Sequence, residues 1–172
     1  MNFIAQMLAN TPPWVWALLA LLLFLGVRAL RPTTALLWRV AILPTVFFVW
    51  GLYGLFTLHS LSAQRILPWA TALVAGIAVG VTLAGARSIR ADKSRGLVHI
   101  PGGSLTLVLS LLIFATKYAF GVLHATQPAR FAEPPFWLTE LAVSGLLTGM
   151  FIGRFAGLWH QYRATPHEDL VV

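Results

Sequence analysis

The 172 residues include 58% hydrophobic and only 10% charged side chains, with a net charge of +7 and a mean hydropathy of +0.79. Those proportions exclude an ordinary soluble domain and place most of the chain in lipid. No cysteine is present, which removes disulfides, thiol redox chemistry, thiolate metal sites and c-type haem attachment. The bases fall mainly between apolar runs, so they read as topology signals facing anionic headgroups and not as a nucleic-acid surface.

Five apolar runs follow in chain order, at approximately 13–30, 41–58, 67–86, 104–124 and 136–158. Each is close to the roughly 20 residues that cross about 30 Å of hydrocarbon as a helix. Backbone groups in lipid must be satisfied within the segment, and the runs lack the alternation of a β-barrel. The expected fold is therefore all-α, a single domain over residues 1–172 forming a membrane bundle of about five transmembrane helices.

Proline punctuates most of the starts, at Pro12-Pro13, Pro44, Pro68 and Pro134-Pro135, where a missing N–H is tolerated in the first turn. A second helix beginning near Pro44 is simpler than one begun at Trp38 and kinked. The fourth run follows Pro101-Gly102-Gly103-Ser104, with Ser104 a candidate N-cap.

Arg28, Arg31 and Arg39 surround the first connection, and Arg87, Arg90, Lys93 and Arg95 fill the third, whereas the second has Arg65 and the fourth Arg130. The asymmetry puts the first and third connections and the tail with Arg163 in the cytoplasm, with the N-terminus outside. Trp14, Trp16, Trp69 and Trp137 then fall at the outer boundary, and Trp38 and Trp159 at the inner one. No base precedes the first run and arginines follow it, which reads as an uncleaved span and not as a signal peptide.

The connection 87–103 is too short for a soluble domain with its own core. It reads as a basic topology determinant, with a small β-hairpin as one form of it. Contact between anionic lipid and Arg87, Arg90, Lys93 and Arg95 is the sharper reading.

The most specific pattern is Gly145-x-x-x-Gly149-x-x-x-Gly153-x-x-x-Gly157 in the fifth run, matched by Ala72-x-x-x-Gly76-x-x-x-Gly80-x-x-x-Ala84 in the third. This glycine zipper provides grooves for close helix packing, either within the bundle or between copies, and packing within it is the favoured form. A polar face is the second pattern. Thr106, Ser110, Lys117 and His124 fall on one side of the fourth helix, and Glu140, Ser144 and Thr148 on one side of the fifth. The depths of Lys117 and Glu140 match, and they read as a structural ion pair with a ligand or proton site as the alternative.

His59 and His124 end the second and fourth runs on the same side, the arrangement a b-type haem would need. No cofactor is otherwise expected, and His99, His160 and His167 lack zinc spacing. P-loop, dinucleotide and nucleophile-elbow motifs are absent from the sequence. Ten arginines against two lysines, in Ala-, Leu- and Gly-rich segments, hint at a bacterial source.

Thr11-Pro12-Pro13-Trp14-Val15-Trp16-Ala17-Leu18-Leu19, Arg28-Ala-Leu-Arg31, Val98-His99-Ile100-Pro101-Gly102 and Thr116-Lys117-Tyr118 resemble a family of small bacterial integral membrane proteins of unknown function. A more distant likeness of layout is to CcdC-type membrane proteins of cytochrome maturation. The resemblance implies the inner membrane and supplies no activity. The functional expectation is a non-enzymatic accessory or assembly component whose partners are the lipid bilayer, a second copy or another membrane protein, and not nucleic acid. The alternatives are a ligand-binding or proton-coupled transport component using the polar face, and a haem or quinone redox protein.

Overall fold

The structure is a computed structural model, and it describes residues 11–57, 62–85, 89–131 and 133–170. In chain order the elements are α1 (Pro13–Arg28), β1 (Thr33–Leu36), α2 (Leu37–Thr57), α3 (Ala63–Ala84), β2 (Arg90–Asp92), β3 (Leu97–Ile100), α4 (Leu105–Thr126), the single turn α5 (Pro128–Phe131) and α6 (Pro134–Ala164). Four helices, α2, α3, α4 and α6, are long and apolar enough to cross a membrane. α1 is apolar too but has 16 residues, about 24 Å of helix against about 30 Å of hydrocarbon. Phe24, Val46, Val49, Val74 and Val108 lie exposed on the outside, a surface suited to lipid.

The helix starts differ from the sequence expectation in three places, one of them α3, which begins at Ala63 and keeps Pro68 inside instead of at its start. α2 begins at Leu37 and keeps Pro44 inside, because strand pairing of Thr33–Leu36 delivers the chain to Leu37, whose N–H donates to the Gly96 carbonyl at 3.1 Å. Pro44 has no N–H to offer the Val40 carbonyl one turn back. Ser104 has helical dihedrals and makes no side-chain cap hydrogen bond, since the segment before α4 is held instead by Gly103, whose N–H donates to the Ala29 carbonyl at 2.9 Å.

α6 is the central element. With 31 residues it spans about 46 Å, and its buried residues include Leu141, Leu147, Phe151 and all four zipper glycines. The glycines face α3: a Cβ on Gly149 would strike the Leu73 carbonyl oxygen, one on Gly153 that of Ile77, and one on Gly76 or Gly80 that of Leu146 or Met150. Gly157 meets Ala84, where an added Cβ would lie 2.6 Å from the alanine methyl. Within one chain the two small-residue stripes therefore meet backbone to backbone, a contact that any larger side chain would separate.

The other sides of α6 receive α2 and α4. Leu22, Phe47, Leu109, Ile113, Leu147 and Phe151 form one buried cluster, with the Phe47 and Phe151 rings 4.8 Å apart. A second cluster joins Leu55, Trp69 and Leu141. Trp69 is thus buried and not an interfacial anchor, because its helix face is turned into the bundle by the α3–α6 contact. Trp14, Trp16, Trp38 and Trp159 remain exposed.

At one end of the bundle the three strands form an antiparallel sheet in the order β1-β3-β2. Thr34 pairs with His99 and Ala35 with Val98, while Ala91 pairs with Val98 from the other side. The hairpin of β2 and β3 falls within the basic connection, and β1 is a strand that the apolar-run reading did not contain. Leu37, Ile89 and Val98 form a small core with Phe155, Leu158 and Tyr162, so the last turns of α6 provide the apolar surface that the connection lacks by itself.

Replacing Gly149 or Gly153 with leucine should force the helices apart, and overpacking of this kind costs about 1–3 kcal/mol or more. Lower thermal stability and altered size-exclusion profiles in detergent are the expected outcome. Gly121→Leu is the control, because a Cβ there meets nothing within 4 Å.

Candidate functional site

Polar residues inside the bundle gather on the two helices expected to hold them. Ser110 on α4 and Glu140, Ser144 and Thr148 on α6 are buried, Glu140 to 6% and Thr148 to 1% exposure. Lys117 is half-buried and lies within electrostatic reach of Glu140. Thr148 faces α2, its hydroxyl 3.4 Å from the position a Cβ on Gly51 would take. The buried Trp69 Nε1 is close to the same position and has no hydrogen-bond partner among the described residues. His124 is exposed and Thr106 half-buried, so Ser110 is the fully buried member of the polar face of α4. His59 lies outside the described residues.

The sheet end carries a second polar arrangement. Asp92, 1% exposed, closes the hairpin: its Oδ1 accepts from Ser94 N–H at 3.0 Å, Ser94 Oγ at 2.6 Å and Arg95 N–H at 3.1 Å, and Oδ2 accepts from Leu170 N–H at 3.5 Å. The last of these ties the C-terminal tail to the turn. His167 forms a parallel bridge with Ala91, and Glu168 N–H donates to the Ala91 carbonyl at 2.9 Å. The tail thus covers the open edge of β2, an edge that would otherwise present unpaired backbone groups.

Side chains reinforce this attachment. Arg90 and Glu168 form a two-bond ion pair, with Nε donating to Oε2 at 2.7 Å and Nη2 to Oε1. Lys93 Nζ donates to the Arg163 carbonyl at 3.1 Å. Of the four bases proposed to meet lipid, Arg90 and Lys93 are therefore engaged by the tail, Arg95 is exposed, and Arg87 lies outside the described residues.

Asp92, His167 and Asp169 place possible ligand atoms within 4.8 Å of one another. Asp92 is already occupied by the turn, and His167 Nδ1 accepts from Lys93 N–H at 3.1 Å, which leaves Nε2 protonated and facing Asp169 at 3.4 Å. The group is a latch built of hydrogen bonds and not an open donor set.

Hydrogen bonds set the electrostatics of the latch. The Ser94 hydroxyl, opposed by burial and aided by the Arg95, Leu170 and Ser94 N–H groups, holds the Asp92 carboxyl below its ordinary range. The hydrogen bond from Arg90 does the same for Glu168 against desolvation, with the guanidinium charge adding to it.

Between sheet and bundle lies a cavity of about 410 Å³, within the roughly 300–1,000 Å³ of ligand pockets. The ends of α1 and α3, the second half of α6, the starts of α2 and α4, and strands β1 and β3 line it. Its walls are apolar, with Val40, Leu43, Leu83, Phe151 and Phe155, and four arginines border it: Arg28, Arg31, Arg39 and Arg154. Two motifs meet at this place. A Cβ on Gly102 would collide with the Leu30 carbonyl and approach the Arg31 carbonyl carbon to 2.6 Å, so the Arg28-Ala-Leu-Arg31 turn and the Pro101-Gly102 turn are in backbone contact.

Sequence reasoning treated the first three arginines as topology markers and passed over Arg154. The signal for it was present: a charge inside an apolar run is costly in hydrocarbon and marks an interior or watery position. Thr106, assigned to the polar face of α4, also lines the cavity.

These features define a mostly helical protein with four helices long and apolar enough to cross a membrane, a small terminal sheet and an arginine-bordered cavity. The chain matches DUF6622, a family of unknown function, over residues 2–165 and belongs to it. No curated protein and no solved structure matches it.

Two outcomes follow. Because the folded-state pKa of Asp92 and of Glu168 is depressed, their stabilisation is present above the ordinary carboxylate range of about 4. It fades as pH falls below that toward the folded values, so the Leu170 amide should lose hydrogen-exchange protection on acidification, and Asp92→Asn should lose it already at neutral pH. In the bundle, Lys117→Met or Glu140→Gln should each lower the melting temperature in detergent, and the double variant should recover much of the loss. A strictly additive result would mean that the two side chains do not interact.

Proposed function

We propose that this protein is a five-span bacterial inner-membrane component, N-terminus outside and C-terminus in the cytoplasm, that acts without catalysis as an accessory or assembly factor. The observation that carries the reading is the segregation of charge. Arg28, Arg31, Arg39, Arg90, Lys93, Arg95 and Arg163 all belong to the sheet end, whereas the opposite connections contain Arg65 and Arg130. Positive charge retained on the cytoplasmic side gives that distribution its physical reason.

The sheet then forms a rigid cytoplasmic platform of exposed bases and aromatic residues, including Trp38 with Arg39 and Trp159 with Arg163 stacked at 5.6 and 5.2 Å. Basic and aromatic side chains suit both anionic headgroups and the juxtamembrane surface of another protein. Arg95, exposed on this platform, is the base left to meet lipid headgroups, while Arg90 and Lys93 hold the tail. The α3–α6 contact keeps the bundle closed while the platform engages its partner.

A second reading rests on the buried polar set. Lys117, Glu140, Ser110 and Ser144 give a transport or ligand-binding component the ionisable groups it needs inside the membrane. A closed ion pair supports the first reading, and a pair that exchanges protons during turnover supports the second.

Reporter fusions after residue 62 and after residue 130 should mark the periplasm, and fusions after residue 95 and at the C-terminus the cytoplasm. Opposite placement at either end would defeat the five-span arrangement. For the role itself, a photo-crosslinking amino acid in place of Arg95 should give one discrete membrane-protein adduct in cells. Adducts to lipid alone would defeat the assembly role.

A further inference from the structure

We propose that the cavity at the sheet end binds one anionic phospholipid of the cytoplasmic leaflet, its phosphate among the arginines and the first part of one acyl chain between the apolar walls. From the proposed function this takes over only the position of the sheet end at the cytoplasmic interface.

Two properties of the cavity select the ligand. Its lining includes the exposed Arg28, Arg31 and Arg39, with Arg154 at the inner end, and no acidic residue among the described residues, so an anionic group entering it meets a field of one sign. Phosphate oxygens match the planar fork of arginine, which makes two parallel charge-assisted hydrogen bonds to them. A zwitterionic lipid would bring an ammonium group among the same four cations.

The remaining walls are hydrocarbon. Val40, Leu43, Leu83, Phe151 and Phe155 extend along the cavity, and on α6 the lining runs from Gln161 to Phe151, ten residues or about 15 Å. That is about half the hydrocarbon thickness of a bilayer. Inorganic phosphate would leave this length unfilled, and a neutral alkyl chain would make no use of the positive charge of Arg28, Arg31 and Arg39 at the mouth. Only an amphiphile satisfies both parts. Pro44 also borders the cavity, at the turn of α2 where the helical ladder is interrupted.

The test is a lipid titration of the delipidated full chain in detergent, followed by native mass spectrometry. Dioleoyl phosphatidylglycerol should bind at one per chain and resist removal under conditions that strip dioleoyl phosphatidylethanolamine. Arg39→Gln should weaken this first binding event about tenfold, the scale of one lost charge-assisted hydrogen bond. Ala29→Trp, which fills the cavity without altering charge, should weaken it as well, and Lys93→Gln with Arg95→Gln should leave it unchanged.

Equal retention of both lipids, or binding insensitive to Arg39→Gln and Ala29→Trp, would mean unspecific surrounding lipid and overturn the proposal. Displacement of the phospholipid by equimolar oleate would reassign the cavity to a fatty acid, and displacement by equimolar inorganic phosphate to a free anion. Either result overturns it too. The titration is independent of orientation, so reversed reporter fusions with one specific lipid bound would reject the topology alone, and correct fusions with no specific lipid would reject the site alone.

Discussion

The backbone contact between α3 and α6 is the constraint on which the rest of this structure depends. Helices in lipid gain no hydrophobic driving force by meeting, so their association relies on close packing and polar contacts. Gly76 and Gly80 set against Gly149 and Gly153 bring carbonyl oxygens of one helix to the α-carbons of the other. With α3 held so tightly, the remaining sides of α6 are left for larger residues, and Phe151 and Leu147 pack there against Phe47, Leu109 and Ile113. The same contact orients the polar residues. Thr148, one position before Gly149, faces α2, and Ser144, one before Gly145, is buried beside it.

The length of α6 connects this bundle to the sheet. A helix that crosses about 30 Å of hydrocarbon needs about 20 residues, and α6 has 31. The excess emerges as Phe155, Leu158 and Tyr162, which pack against Ile89 and Val98. Three strands of three or four residues have little stability of their own, and the projecting helix supplies the face they bury. The tail then returns from the end of α6 to cover β2, so one helix supports both the core of the sheet and its edge.

The cavity arises where these two systems join without filling the space between them. β1, paired with β3, stands between the end of α1 and the start of α2. The arginines lie at the ends of apolar helices, the positions where a charge costs least if those helices cross a bilayer. Arg154 is the exception. It belongs to the packed part of α6, immediately after Gly153, and borders the cavity from within.

The sequence alone determined the elements that depend on local composition. Apolar runs of spanning length, glycines four residues apart, and bases concentrated at alternate connections are properties of neighbouring residues, and lipid turns each into a placement rule. Helices therefore appear where those runs lie, and Lys117 and Glu140 could be assigned matching depths from residue counts. Tertiary structure decided whatever requires a distant partner. Thr33–Leu36 becomes a strand only because Leu97–Ile100 pairs with it, and Leu37 starts a helix ahead of Pro44 because that strand ends there. The tail is held by an aspartate in a turn some 78 positions away, and Trp69, which reads locally as an interfacial anchor, is turned inward by the glycine contact. The cavity has no local signature at all, because its walls come from seven elements and exist only once the helix ends and the sheet have been brought together.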